Sequence, residues 1–307
     1  MIKPEHLKKG DAVAIVSTAR KISLEEIEPA IALLKTWGLK AVVGKTIGVA
    51  ENQFAGSDAL RISDFQEMLD NPDIKAIWCA RGGYGTVRMI DHLDFTPFKK
   101  HPKWIVGYSD VTVLHSHLHK LGYETIHAEM AREITKKTSL TRSSLRNALF
   151  GKSHIIKYEI QDASSRQGRA KGQLIGGNLS VLYSLFGSPS AVNTDGKILF
   201  IEDLDEYLYH IDRMTQNMKR NGYFEKLAGL IVGGMSDMRD NTEAFGFKND
   251  NPFGKTAKDI ISEVVSEYDF PVCYDFPAGH MENNIALIMG RDVNLEVQAS
   301  KVILTYQ

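Results

Sequence analysis

The chain has 307 residues, 43% of them hydrophobic and 24% charged, the proportions of a soluble globular protein with core enough for two domains or one large α/β domain. Its 37 Lys and Arg balance 38 Asp and Glu to a net charge of −1 with no long basic run, which argues against nucleic acid as a partner. No uncharged apolar stretch reaches the roughly 18 residues of a membrane span, and the opening MIKPEHLKKGDAVAIV lacks an apolar core of signal-peptide length, so the expected location is cytoplasmic, with no membrane partner.

In chain order, the first 130 residues alternate strand and helix patterns. The apolar run at 11–19 reads as a strand, and Ser23 with Glu26 forms a capping box for a helix that Gly38 closes. A strand follows at 40–45, a helical period from Ser57 to Leu69, and a buried strand at 74–80 that ends in the glycine cluster RGGYG. A short helix over TVRMIDHL, the strand KWIVGY, a helix after Ser109 and a strand at 123–129 complete an N-terminal unit over 1–151. Its expected architecture is a doubly wound parallel sheet of the flavodoxin or glutamine-amidotransferase type. The polar text over 152–171 reads as a linker. Residues 172–307 read as a smaller C-terminal α/β domain with strands at QLIGGN, 197–204 and LAGLIVGGM and helices at 209–224 and near 255–267. Its last four short strands, PVCYDF, NIALIMG, VNLEVQ and KVILTY, predict mixed or antiparallel pairing. Cys79 and Cys273 lie far apart in apolar runs and read as buried thiols rather than a disulfide or metal site.

Ligands gather at the carboxyl ends of strands in open sheets, and both RGGYG and Ser109 fall there. Strand, tight turn with a serine, then helix is the arrangement that presents a hydroxyl as a nucleophile, although a serine there can equally be a helix N-cap. Acyl transfer also needs a base and a group to orient it. His280, in the Gly-flanked loop PAGHMENN, is the candidate base, or a satisfied loop histidine. Glu202, leaving the apolar strand KILFIEDL, is the candidate orienting acid, or a strand cap beside Asp203. The backbone N–H of Asp110, with Gly82 and Gly83 allowing close backbone approach, would form an oxyanion hole. A phosphate cradle is the rival reading of RGGYG, which lacks the Lys-Ser/Thr of a P-loop. His115, His117 and His119 follow the serine without the Glu of a zinc-binding HExxH, and a packed helix face is preferred to a metal site.

RGGYG at 81–85, GYSD at 107–110, LIGGNLS at 174–180, IED at 201–203 with IDRM at 211–214, and AGH at 278–280 together resemble the LD-carboxypeptidase family of serine peptidases. The resemblance spans nearly the whole chain. It implies a Ser109–His280–Glu202 triad, a doubly wound N-terminal domain joined to a smaller C-terminal one, a homodimer, and no metal or other cofactor. The implied activity is removal of the terminal D-alanine from cytoplasmic murein tetrapeptide during peptidoglycan recycling. Ile288 departs from the family's frequent proline. An exopeptidase must also hold a free carboxylate, for which Arg81 and Arg88 are the candidates, each of which can equally be a structural surface arginine. The rival within the family is a microcin C immunity-type amidase acting on peptidyl or aminoacyl nucleotides. The rival outside it is a non-catalytic protein that binds an anion at RGGYG.

Overall fold

The computed structural model describes residues 1–152, 155–160 and 164–307. In chain order the first half contains β1 (Ala12–Val16), α1 (Leu24–Thr36), β2 (Lys40–Val43), α2 (Asp58–Asp70), β3 (Ile74–Cys79), α3 (Thr96–Lys100), β4 (Trp104–Gly107), α4 (Thr112–Lys120), β5 (Thr125–His127) and α5 (Ser139–Leu149). The second half contains β6 (Ile155–Glu159), β7 (Gly168–Asn178), α6 (Leu179–Ser184), β8 (Ile198–Leu204), α7 (Leu208–Arg220), β9 (Gly229–Ser236), α8 (Ala257–Val264), β10 (Val272–Cys273), β11 (Leu287–Met289), β12 (Asp292–Val297) and β13 (Lys301–Tyr306).

Ser23 caps α1 as its spacing predicts: its Oγ accepts from the Glu26 N–H at 3.3 Å, and Glu26 Oε2 accepts from the Ser23 N–H at 2.9 Å. The strand order β2-β1-β3-β4-β5 is all parallel and doubly wound, with apolar clusters covering both faces. In place of the single short helix expected over TVRMIDHL there are two 3₁₀ turns, Thr86–Arg88 and Ile90–His92. The second sheet, β10-β9-β8-β7-β12-β13-β6, is parallel over its first four strands and antiparallel over the rest. Strand β7 joins the two regimes, since Gly168–Gln173 pair antiparallel with β12 and Leu174–Asn178 pair parallel with β8.

Two expectations need correction. The stretch 152–171 is more than a connector, because β6 pairs with β13 at the sheet edge and β7 begins at Gly168. Ile156 buries one face of β6 and supplies the apolar alternation that its charged neighbours obscure in the sequence. Residues 153–154 and 161–163 of that stretch lie outside the described residues. The NIALIMG strand, expected with the C-terminal sheet, instead pairs antiparallel with β5 as the edge of the first sheet. Its alternation explains this placement: Ile288 packs into the N-terminal core, while Leu287 and Met289 face the core of the second sheet. The Ile288 N–H donates to Tyr306 Oη at 3.1 Å, a bond that proline at this position would lack.

Candidate active site

Ser109 opens a 3₁₀ turn between β4 and α4 with φ of +62°, a left-handed conformation that L-residues adopt only at a cost of about 1–3 kcal/mol. The turn is tightly enclosed. A Cβ on Gly107 would fall 2.8 Å from Val111 Cγ2, and the Gly107 carbonyl accepts from the Ala128 N–H at 3.0 Å. The Asp110 side chain is buried, and its carboxylate accepts from the Thr86 N–H at 2.9 Å and from Thr86 Oγ1 at 2.7 Å. Burial raises the Asp110 pKa, opposed by these bonds from Thr86. The residue after the serine thereby ties the turn to the glycine loop. On that loop, a Cβ on Gly82 would sit 3.4 Å from Ser109 Cβ, and Gly83 has φ of +111°.

Glu202 is fully buried near the end of β8. Its Oε2 accepts from His280 Nδ1 at 2.7 Å and from the His280 N–H at 3.1 Å, while Oε1 has no hydrogen-bond partner among the described residues. Gly279 permits this approach: its φ is +102°, and a Cβ there would fall 2.7 Å from Glu202 Cβ, Cγ and Oε2. Burial alone lowers the His280 pKa, but the charge and hydrogen bond of Glu202 outweigh it and hold the imidazole above its ordinary 6.5. The Tyr108 ring packs against the imidazole with centroids 4.6 Å apart.

The histidine loop is anchored to the first sheet's layer. Asn284 Oδ1 accepts from the Gly279 N–H at 2.9 Å, and its Nδ2 donates to the buried Glu129 at 3.2 Å. The Asn284 N–H donates to Thr141 Oγ1 at 3.0 Å, and Lys137 Nζ donates to the Met281 carbonyl at 2.7 Å. None of Tyr108, Glu129 and Asn284 was singled out from the sequence. A buried support residue leaves no spacing signal when its partner is more than 100 positions away.

Ser109, His280, Gly82, Gly83 and Arg81 share the lining of one cleft of ≈ 460 Å³, with Glu202 behind the imidazole. Arg88 is a correction. It lies outside this lining, and its guanidinium forks onto Asp58, with Nε and Nη2 at 2.9 and 2.6 Å from Oδ2. A larger cavity of ≈ 820 Å³ beside α8 is lined by neither a serine nor a histidine. His115 is committed to Thr125 Oγ1 and the Gly107 carbonyl, at 2.8 and 2.9 Å, and burial lowers its pKa to about 4. No cluster of three or more potential metal ligands occurs among the described residues. Cys79 and Cys273 are buried free thiols, each pushed up to about 12 by burial. No helix among the described residues is long and apolar enough to cross a membrane.

A left-handed serine after a parallel strand and an acid-paired imidazole, facing one cleft, define a class of α/β proteins equipped for acyl transfer. Family models described as the LD-carboxypeptidase N-terminal domain and the LD-carboxypeptidase C-terminal domain match residues 13–128 and 171–295. The chain belongs to the LD-carboxypeptidase family. It is 33% identical to a probable murein peptide carboxypeptidase of Bacillus subtilis, with 94% of this chain and 89% of that protein covered. It is 25% identical to the microcin C7 self-immunity protein MccF of Escherichia coli, covering 98% and 95%. The crystal structure of a muramoyltetrapeptide carboxypeptidase from Oxalobacter formigenes superposes with a TM-score of 0.84 at 26% identity, covering 96% and 98%. Family membership and these relatives support a peptidase.

Proposed function

We propose that this protein is a serine-type LD-carboxypeptidase that removes the terminal D-alanine from murein tetrapeptide. Its place is the cytoplasm, in peptidoglycan recycling, and it works as a homodimer without a cofactor. The observation that carries the reading is the 2.7 Å pairing of His280 Nδ1 with the buried Glu202, in an imidazole that shares a cleft with the left-handed Ser109. With Nδ1–H held by the carboxylate, Nε2 is the nitrogen left to accept the serine proton. Ser109 attacks the amide carbon before the terminal residue, and His280 takes the hydroxyl proton and passes it to the leaving amine. Water then hydrolyses the acyl-enzyme by the reverse sequence. The N–H groups of Asp110 and Gly83 stabilise the tetrahedral oxyanion, and Arg81, on the cleft wall, lies on the substrate side.

Incubation with murein tetrapeptide, read by mass spectrometry against a tripeptide standard, tests the assignment. Release of D-alanine by the native protein and none by Ser109→Ala is the expected result. Undiminished release by the variant refutes the nucleophile. The similarity to MccF favours assaying a peptidyl nucleotide in parallel, and cleavage of that substrate alone would transfer the assignment to the immunity-type reaction.

A further inference from the structure

The cleft around Ser109 carries charges of both signs, and their pairing is uneven. Among its lining residues, Arg132 binds Glu26 and Glu133 at 2.9 and 3.1 Å, and Arg81 donates Nη1 to the Lys21 carbonyl at 2.9 Å. On the acidic side, Asp205 pairs with Arg239 and Glu206 with His210 Nδ1 at 2.9 Å. Arg20 differs: its side chain has no hydrogen-bonding or ionic partner among the described residues, and it is exposed. Its charge nevertheless reaches its neighbours, since Arg81 has a lowered pKa through burial first, then Arg132, with Arg20 contributing.

The position of Arg20 is fixed although its guanidinium is unpaired. Its carbonyl accepts from Ser17 Oγ at 2.7 Å, and its backbone bridges antiparallel to Phe54. The side chain crosses the face of Gly83, where a Cβ would lie 2.5 Å from Arg20 Nε and 2.6 Å from Cδ. On the adjoining Gly82, a Cβ would lie 3.4 Å from Ser109 Cβ. The two adjoining glycines therefore set a free guanidinium and the serine side by side on one wall of the same cleft, Arg20 against Gly83 and Ser109 against Gly82.

A carboxypeptidase needs a cation in the cleft beside its nucleophile, because the leaving residue carries its free carboxylate one residue beyond the attacked carbon. We propose that Arg20 binds this α-carboxylate and is the residue that restricts cleavage to the chain end. This inference rests on the carboxypeptidase reading given above. A planar guanidinium donates two parallel N–H bonds to a carboxylate, which a carboxamide cannot match in charge or in acceptor number. No motif or periodicity in TARKIS marks this role.

The test compares the tetrapeptide ending in free D-alanine with its C-terminal carboxamide. The native protein is expected to prefer the acid. Arg20→Ala should lower kcat/KM for the acid by about 10- to 100-fold, chiefly through KM, and erase the preference, with Arg20→Lys intermediate. An unchanged thermal melt is expected of both variants, because the side chain is exposed. Retention of the acid preference by Arg20→Ala overturns the assignment while leaving the carboxypeptidase reading intact. If the native protein cleaves neither peptide, that reading fails, and the clamp is decided by calorimetry on Ser109→Ala. Tighter binding of the acid than the amide, lost when Arg20→Ala is added, supports it; equal binding or no binding overturns it.

Discussion

Replacing Glu202 by glutamine tests how the buried acid acts on His280. The substitution keeps shape and removes charge from a fully buried group that bonds the imidazole at 2.7 Å. In the native protein the His280 pKa is raised above 6.5, so the protonated imidazole is stabilised by folding. That contribution is fully present below pH 6.5 and is lost as pH rises through the folded pKa. At pH 5.5 the variant therefore loses a buried ion pair, which costs about 3 kcal/mol or more when one partner is removed. Well above the folded pKa it exchanges one hydrogen bond for a weaker one, at about 1 kcal/mol. For a protein of this size each kcal/mol moves Tm by about 2 °C, so thermal melts should show a deficit of about 6 °C at the lower pH and about 2 °C at the higher. The activity readout is the acid limb of kcat/KM. It lies above pH 6.5 in the native protein because the base must be neutral, and it moves down in the variant while kcat falls by about 10⁴-fold, as for an amide replacing a triad carboxylate. An unmoved acid limb, or a melting deficit that grows with pH, would refute the pairing as the source of the raised pKa.

Three further outcomes follow from the same geometry. Ser109→Gly relieves the +62° backbone and should raise stability by about 1 kcal/mol, or about 2 °C in a melt, while abolishing turnover; a lower Tm contradicts the strain argument. Asn284→Ala removes the acceptor for the Gly279 N–H and a donor to Glu129, and should cost about 2 kcal/mol with a fall in kcat larger than any change in KM; unchanged kcat would separate the loop anchor from the imidazole. A fragment of residues 1–151 lacks β11 and so exposes the β5 edge, and it should fail to give a cooperative melt, whereas a sharp transition would show that the first sheet stands without β11.

How much the sequence discloses depends on how local each cause is. The capping box of Ser23 and Glu26, the buried strand before RGGYG and the serine turn after β4 are all written within a few neighbouring residues, and each is present. The pairing of β11 with β5 is different, because a three-residue buried strand has the same apolar pattern in either sheet, and only the cores on its two sides decide its place. The pairing of Glu202 with His280 is equally non-local, and the sequence supplied only two residues of suitable chemistry at suitable element ends. Arg81 and Arg88 lie seven positions apart near one glycine loop and look equivalent as text. Their fates diverge because Asp58, at the start of α2, captures Arg88, whereas Arg81 remains on the cleft wall.

The site's location follows from having two sheets, each with a parallel portion, rather than one. Ser109 stands just beyond the carboxyl end of β4 in the first sheet, and Glu202 near the carboxyl end of β8 in the second, so each sheet delivers one residue to the candidate site by the ordinary rule for open α/β sheets. Neither sheet can supply the middle. His280 comes from the loop between β10 and β11, which leaves the second sheet and ends as the edge of the first. The same segment that carries the imidazole therefore also laces the two halves together, through β11, Asn284 and the Lys137 bond to Met281. Any rotation of one sheet against the other must pull on this loop, which makes the imidazole's position a direct report of how the halves are docked.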